Sequence, residues 1–286
     1  MPSPSDRPPH RPGILRLDEQ AAADPRRTGG KAAALARLAA RHPVPDGFVV
    51  TGAIEAGAVA EAYALLGAAT GTTEPVVAVR SSATDEDGAE TSFAGQHDTF
   101  LGVRGVVALL EAVAAARASG ETDRALAYRA AHGIAAPAGP LPVLVQLLVP
   151  ADASAVVFSR NPIATGTCEV LINAGLGLGE SVVGGTVTPD EWAVARPSLA
   201  VVRRAIADKR RMTVQTPGGS TEVDIPAPLR RLPSIDDEQA REVAALAVAL
   251  ERELGLPVDL EVAWAGGRLH LLQCRPITTL SALEAA

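Results

Sequence analysis

Lysine is nearly missing from this sequence. Of the 26 basic residues only Lys31 and Lys209 are lysine, while alanine is abundant, a composition drawn toward Arg, Ala and Gly. An ammonium is a compact point charge and a guanidinium a planar fork. The two lysines that persist therefore mark candidate positions for an ammonium, Lys31 more than Lys209 because of its glycine-rich context. Cysteine is scarce too: Cys168 and Cys274 are too few and too far apart for a disulfide framework or a four-ligand zinc site. Positive charge is in deficit, with a formal net charge of −7. That excludes a broad phosphate-neutralising surface for DNA or RNA and confines any phosphate contact to a local site. No apolar run approaches the ~20 residues of a membrane helix, and the Pro/Arg-rich N-terminus lacks the apolar stretch of a secretory signal. The expected location is the cytoplasm.

What is present is an ordinary globular mix, 47% hydrophobic and 21% charged over 286 residues, enough to bury a core in one large or two smaller units. Residues 1–27, with six prolines, read as a flexible tail carrying at most the short strand Ile14–Leu17. Thr28-Gly29-Gly30 leads into an Ala/Leu-rich helix that should stop before Pro43. Strands are expected at 47–51 and 76–80, and helices at 53–66, 105–118 and 122–132. Pro137, Gly139, Pro140 and Pro142 suggest a boundary, dividing the chain into an N-terminal lobe at 28–139, a sheet-rich C-terminal lobe at 140–280 and a tail at 281–286. In the second lobe, strands are expected at 143–149, 154–159, 168–173 and 191–195, a hairpin around Pro217-Gly218-Gly219, a helix at about 236–254 and a last strand pair at 258–264 and 268–274. The fold class is α+β, with a ligand cleft between the lobes.

Three motifs carry chemistry. Gly29-Gly30-Lys31 at a helix start can gather backbone N–H groups, the helix dipole and an ammonium around one anion, although Pro25 and Ala32 exclude a Walker A loop. As a bare turn it needs no function. Gly175-Leu-Gly177-Leu-Gly179-Glu180 follows a strand, but Glu180 stands where a dinucleotide fingerprint has its third glycine and no clear helix begins there. A glycine-rich loop bordering a cleft and a plain connector both remain open.

The third motif is the terminal strand pair. Asp259 and Glu261 share one face, and Leu260, Val262 and Trp264 the other. If Ala265-Gly266-Gly267 is a three-residue hairpin loop, Trp264 pairs with Arg268 and Asp259 with Gln273, which brings Glu261, Gln273 and Arg275 to one face; a two-residue loop would separate them. A carboxylate, an amide and a guanidinium together suit Mg²⁺ and a polyphosphate. The plainer alternative is a solvated face with an ordinary ion pair. His97, His132 and His270 have no metal-ligand spacing to a neighbouring Cys or His.

Six segments in one order, Gly29-Gly30-Lys31, Val44–Phe48, Ala78–Asp87, Ser92–Thr99, Asn173–Glu180 and Leu271–Thr278, resemble the N-terminal nucleotide-binding domain of the family of phosphoenolpyruvate synthase, pyruvate phosphate dikinase and rifampicin phosphotransferase. The resemblance covers about residues 28–280. It implies an ATP-grasp fold with ATP between two lobes, cleavage of ATP to AMP and phosphate, and transfer of the β-phosphoryl group to a histidine on a separate domain. By position it implies that Lys31 and Arg80 contact phosphates, Gly95 and Thr99 belong to a loop closing over them, and Gln146 lies near the adenine. It likewise implies that Glu261 and Gln273 ligate Mg²⁺ and that Arg275 stabilises the transferring charge.

The sequence departs from that family in places. Members are usually much longer, and here no histidine domain follows the Gln-x-Arg-Pro strand, so the accepting histidine is expected on a partner protein or downstream in a longer chain. The connection from Thr51 to Val76 is short, and Ala155 and Ser159 stand where Gly and Thr are usual. Two rival functions stay open: a stand-alone small-molecule kinase or ligase, and a non-catalytic nucleotide-binding subunit.

Overall fold

The computed structural model describes residues 13–83, 87–88, 91–92, 99–120, 139–164, 166–216 and 219–277. The helix expected at 122–132, and Gly95, lie outside the described residues. Two antiparallel sheets organise the chain. The first contains β1 (Ile14–Arg16), β2 (Gly47–Val50), β3 (Val77–Ser81), β6 (Thr99–Val103) and β7 (Val143–Leu147), in the order β1-β2-β7-β3-β6. Short strands β4 (Asp87–Gly88) and β5 (Thr91–Ser92) form a separate pair. The second sheet contains β8 (Ala153–Phe158), β9 (Glu169–Leu176), β10 (Asp190–Ala195), β11 (Val201–Ala205), β14 (Val258–Ala265) and β15 (Arg268–Pro276), in the order β11-β10-β9-β8-β14-β15. β12 (Arg211–Thr216) and β13 (Gly219–Asp224) form a two-stranded sheet of their own, which bridges to Gly177 at the end of β9 and packs against Gly102 of β6.

Helix α1 (Pro25–Leu38) joins the two sheets. Its Ala32, Leu35 and Leu38 share one buried core with Leu17, Val49 and Leu144 of the first half and with the apolar face of the second sheet. Helices α2 (Ala56–Thr70) and α3 (Val106–Ser119) pack Val59, Tyr63, Leu109 and Val113 on the opposite face of the first sheet, against Phe48, Val79 and Val145. A short helix, α4 (Glu180–Val183), follows β9, and α5 (Asp237–Leu254) covers the core face of the second sheet. The start of α5 is marked in sequence: Asp236 and Gln239 form a reciprocal capping box, and Gly255 ends the helix in the left-handed region. Among the described residues no helix is long and apolar enough to cross a membrane.

Several expectations need correction. Residues 13–27 are not tail: Ile14 and Leu15 pair with β2 and Leu17 is buried, because one strand edge and an apolar surface await them. The expected division at 139/140 falls too early. β7, beyond the proline cluster, inserts between β2 and β3 and continues the first sheet to Leu147. A helix does begin at Glu180, though it is one turn long. Ala155 stands inside β8, between Ala174 and Val262.

The terminal hairpin differs in its turn and keeps its outcome. Gly266 and Gly267 (φ 54° and 75°) make a two-residue loop, with Ala265 opposite Arg268; positive φ at both positions is the type I′ pattern that suits strand twist. Such a loop alone would turn Glu261 and Gln273 to opposite faces. A bulge shifts the register between Glu261 and Val262, so that Val262 pairs with Leu271 and Glu261 with Gln273, leaving Leu272 as the extra residue. Asp259 then pairs with Arg275.

Two charged clusters belong to the fold. Lys209 Nζ donates to Asp190 Oδ1 and Oδ2 at 2.6 and 2.8 Å, both residues being buried, so the second lysine is explained by an internal ion pair. Glu251 of α5 accepts from Arg196, Arg160 and the Ser159 hydroxyl, which also accepts from Val258 N, so the hydroxyl at position 159 ties β8, β14 and α5 together. Burial raises the Glu251 carboxyl, yet those hydrogen bonds outweigh it and hold the group down at about 2.

Candidate functional site

Between the two sheets lies a cavity of about 530 Å³. Seven of the eight residues singled out from sequence line it: Lys31, Arg80, Thr99, Gln146, Glu261, Gln273 and Arg275. The eighth, Gly95, falls outside the described residues.

Lys31 is placed by the glycines before it. Gly29 (φ 78°) interrupts α1, and a Cβ there would lie 1.6 Å from the Ser82 carbonyl oxygen, so the segment after β3 presses directly on the helix start. Gly30 N donates to Ala83 O at 2.9 Å and Ala32 N to Ser82 Oγ at 3.0 Å. The regular helix thus begins beside the end of β3, whose Arg80 enters the same cavity.

Arg80 sits opposite Thr99 of β6 and Leu144 of β7. Its Nη1 donates to Leu272 O at 3.4 Å, the carbonyl of the bulged residue. Its Nε is buried and has no hydrogen-bond partner among the described residues. A buried guanidinium N–H is costly to leave unpaired, which makes this group a ready donor for an anion in the cavity.

On the facing sheet, Glu261 and Gln273 are cross-strand partners, and Asp259 and Arg275 are the pair next to them. Arg275 Nε donates to both oxygens of Asp259 at 2.9 Å, and the Asp259 side chain is buried. Burial pushes the Asp259 carboxyl up to about 6, with Glu261 adding to the rise and Arg275 opposing it. One carboxylate and one amide side by side form a hard oxygen set of the kind Mg²⁺ takes when nucleotide oxygens and water complete its shell.

The other end of the cavity is apolar. Leu147, Leu148 and Val149 follow Gln146 where the chain leaves the first sheet, and Leu178 and Val183 face them from the segment after β9. Gln146 is buried and donates from Nε2 to Pro45 O at 3.1 Å. Sequence reasoning missed Leu272, which no local signal marks as a bulge, and gave no role to Glu180, which it read as a break in a glycine pattern and as the end of one of the six family segments.

The family model described as pyruvate phosphate dikinase, AMP/ATP-binding domain, matches residues 54–286, a range that Lys31 precedes. A probable phosphoenolpyruvate synthase of Methanocaldococcus jannaschii is 40% identical over 224 residues, covering 78% of this chain and 19% of that protein. The phosphoenolpyruvate synthase of Pyrococcus furiosus is 39% identical over 229 residues, covering 77% and 28%. A rifampicin phosphotransferase of a Streptomyces species is 37% identical over 270 residues, covering 93% and 29%. The chain therefore spans under a third of the length of these relatives. A cavity with cations and oxygen donors at one end and an apolar wall at the other is the form an ATP site takes, and the chain belongs to the pyruvate phosphate dikinase AMP/ATP-binding domain family.

Proposed function

We propose that this chain is an ATP-grasp domain whose two lobes, built on the two sheets, hold ATP between them and cleave it to AMP and phosphate while the β-phosphoryl group passes to a histidine. That histidine would belong to a separate domain or a partner protein, and the setting would be the cytoplasm. The observation that carries this reading is the convergence of Lys31, Arg80 and Arg275 with Glu261 and Gln273 at one end of a single cavity.

Phosphoryl transfer needs little covalent help from protein; it needs positioning and neutralised charge. Lys31 and Arg80 would bind the triphosphate from the first sheet's side. Arg275, oriented by Asp259, would meet the charge that develops as the phosphoryl group moves. Glu261 and Gln273 would hold Mg²⁺, which supplies charge neutralisation on the phosphate oxygens. Gly95 and Thr99 would belong to the segment closing over the phosphates, and Gln146 would lie against the adenine.

Product analysis tests the proposal. The purified chain, given ATP and Mg²⁺, should form AMP only when a protein carrying a reactive histidine is added, and that protein should take up label from β-³²P-ATP. ADP formation with a small acceptor and no partner would refute the dikinase reading.

A further inference from the structure

Helix α1 and the apolar core around it join the two sheets on one flank of the cavity, where Leu35, Leu38, Val49 and Leu144 share that core with the second sheet. The opposite flank is built differently. Val49 and Leu144 belong to β2 and β7, whereas the first sheet ends at β6, two strands beyond β7 and roughly 10 Å from it at about 4.8 Å per strand. Thr99 and Leu101 of β6 line the cavity. What meets β6 from the second half is the β12–β13 hairpin.

The hairpin is clamped at its root. Asp190 of β10, fully buried, accepts from Ala207 N at 2.8 Å, from Lys209 Nζ at 2.6 and 2.8 Å, and from Ser234 N and Oγ at 2.8 and 2.7 Å. One carboxylate thus holds the chain both before β12 and after β13, and a buried charge pair is costly to break. Bonds from Lys209 N to Arg230 O and from Ile225 N to Arg210 O close the root further. Midway, Leu178 N donates to Thr213 O at 2.8 Å and Ser220 Oγ to Glu180 Oε2 at 3.1 Å, and both ties lead to the second half. The contact with the first sheet is of another kind. A Cβ on Gly102 (φ 73°) would lie 2.5 Å from Gly219 Cα and from Gly219 O, so backbone rests on backbone with no side chain between. Among the described residues no ladder pairs the hairpin with β6. Such a seat holds by van der Waals fit.

We propose that the β12–β13 hairpin is a strap carried by the second half, which holds the cavity at its working width by seating Gly219 on Gly102. The halves part at that seat, turning about the α1 core, to admit and release nucleotide. Its service to nucleotide rests on the ATP reading above. A methyl at position 102 would start 2.5 Å from Gly219, where side-chain carbons stay beyond 3.0 Å, and so would unseat the strap. If the seated fraction falls to about one tenth, the apparent Kd for ATP rises about tenfold.

Distances between spin labels, read by pulsed electron paramagnetic resonance on the whole chain, test it. One label sits on the hairpin at Thr221→Cys, an exposed position. Its partner is either the native exposed Cys168 of the second half or Val107→Cys on α3 of the first half, the latter with Cys168→Ser; Cys274 is buried. In Gly102→Ala the Val107 pair should gain a longer-distance population and the Cys168 pair should keep its single distance, while calorimetry shows ATP affinity about tenfold lower. Gly71→Ala is the control: its φ of 71° imposes the same backbone strain on the first half, and a Cβ there meets nothing within 4 Å. It should keep the wild-type distances. A Gly102→Ala chain with the distances of Gly71→Ala would overturn the strap, as would a lengthened Cys168 pair, which would assign the hairpin to the first half. Should Gly102→Ala not fold, the wild-type chain decides: saturating ATP should narrow the Val107 pair toward its shorter distance and leave the Cys168 pair unchanged, and a Val107 pair indifferent to bound ATP would refute the proposal. A wild-type chain that binds no ATP, yet whose Val107 pair lengthens in Gly102→Ala, would overturn the ATP reading and leave the strap standing.

Discussion

Replacing Gly29 by alanine separates the placement of Lys31 from its chemistry. At φ 78° an L residue is strained by about 1–2 kcal/mol. The new Cβ would start 1.6 Å from Ser82 O, where side-chain carbons stay beyond 3.0 Å, so the helix start must retreat by at least 1.4 Å. That retreat stretches the bonds from Gly30 N to Ala83 O and from Ala32 N to Ser82 Oγ, each contributing about 1 kcal/mol net. The expected loss of stability is about 3–4 kcal/mol, which a domain with 5–15 kcal/mol in hand, the usual order of magnitude, survives. Function should suffer more. Lys31 moves with the helix, and a misplacement of about 1 Å at a reacting centre can lower rate on the order of a hundredfold. Urea unfolding gives the first quantity, and AMP formation with the histidine partner gives the second. Ser82→Ala is the control: it removes one hydrogen bond and no space, and should lose about 1 kcal/mol with near-normal turnover. If Gly29→Ala matched the wild type in stability and turnover, the close approach between α1 and Ser82 would not be what positions Lys31.

Three further outcomes are expected. Arg275→Ala should lower turnover more than ATP affinity, since its charge matters most in the transition state, and should lift the Asp259 carboxyl further above about 6 by removing the cation that opposes its rise; carboxyl NMR titration reads the shift. Glu261→Ala should raise the Mg²⁺ concentration needed for half-maximal activity, and an unchanged Mg²⁺ titration would remove Glu261 from the metal site. Glu251→Gln should destabilise the fold at neutral pH by about 3 kcal/mol, the worth of a carboxyl held at about 2 instead of 4.5. Because the folded-state value is depressed, that contribution is complete above about pH 4.5 and disappears as pH falls toward 2, so urea denaturation of wild type and variant should converge in acid. A difference independent of pH would contradict the network.

Much of the fold was legible because its signals are local. The capping box at Asp236 and Gln239 and the glycine at position 255 bracket α5 within a residue or two of where it forms. Alternation along 258–264 placed Leu260 and Val262 in the core and Glu261 on the other face, as burial confirms. The candidate site was legible for a different reason. Six short motifs in one order carried the resemblance, and the described residues taken from it, all but Gly95, come together around one cavity.

What stayed hidden depends on contacts between distant segments. Strand β7 has an apolar run that would suit either sheet; only the vacancy between β2 and β3 assigns it to the first. The short strand expected at Ile14–Leu17 has no partner in its own neighbourhood; the edge of β2 supplies one and ties the segment to the first sheet. Glu180 has no meaning in a glycine run until the β12–β13 hairpin brings Ser220 to it.

Composition and local pattern alone pointed to an α+β protein, marked Lys31 as a candidate position for an ammonium, and placed an acid, an amide and a guanidinium near the last strands. Tertiary structure decided whether those last three share a face. The Gly-Gly turn by itself would have parted Glu261 from Gln273, and the bulge at Leu272 brings them back into register. A bulge costs one ladder position and is repaid where its carbonyl and its neighbours find partners, here Arg80 and the opposite wall of the cavity. No residue within the hairpin encodes that partner, which stands 192 positions away in the chain.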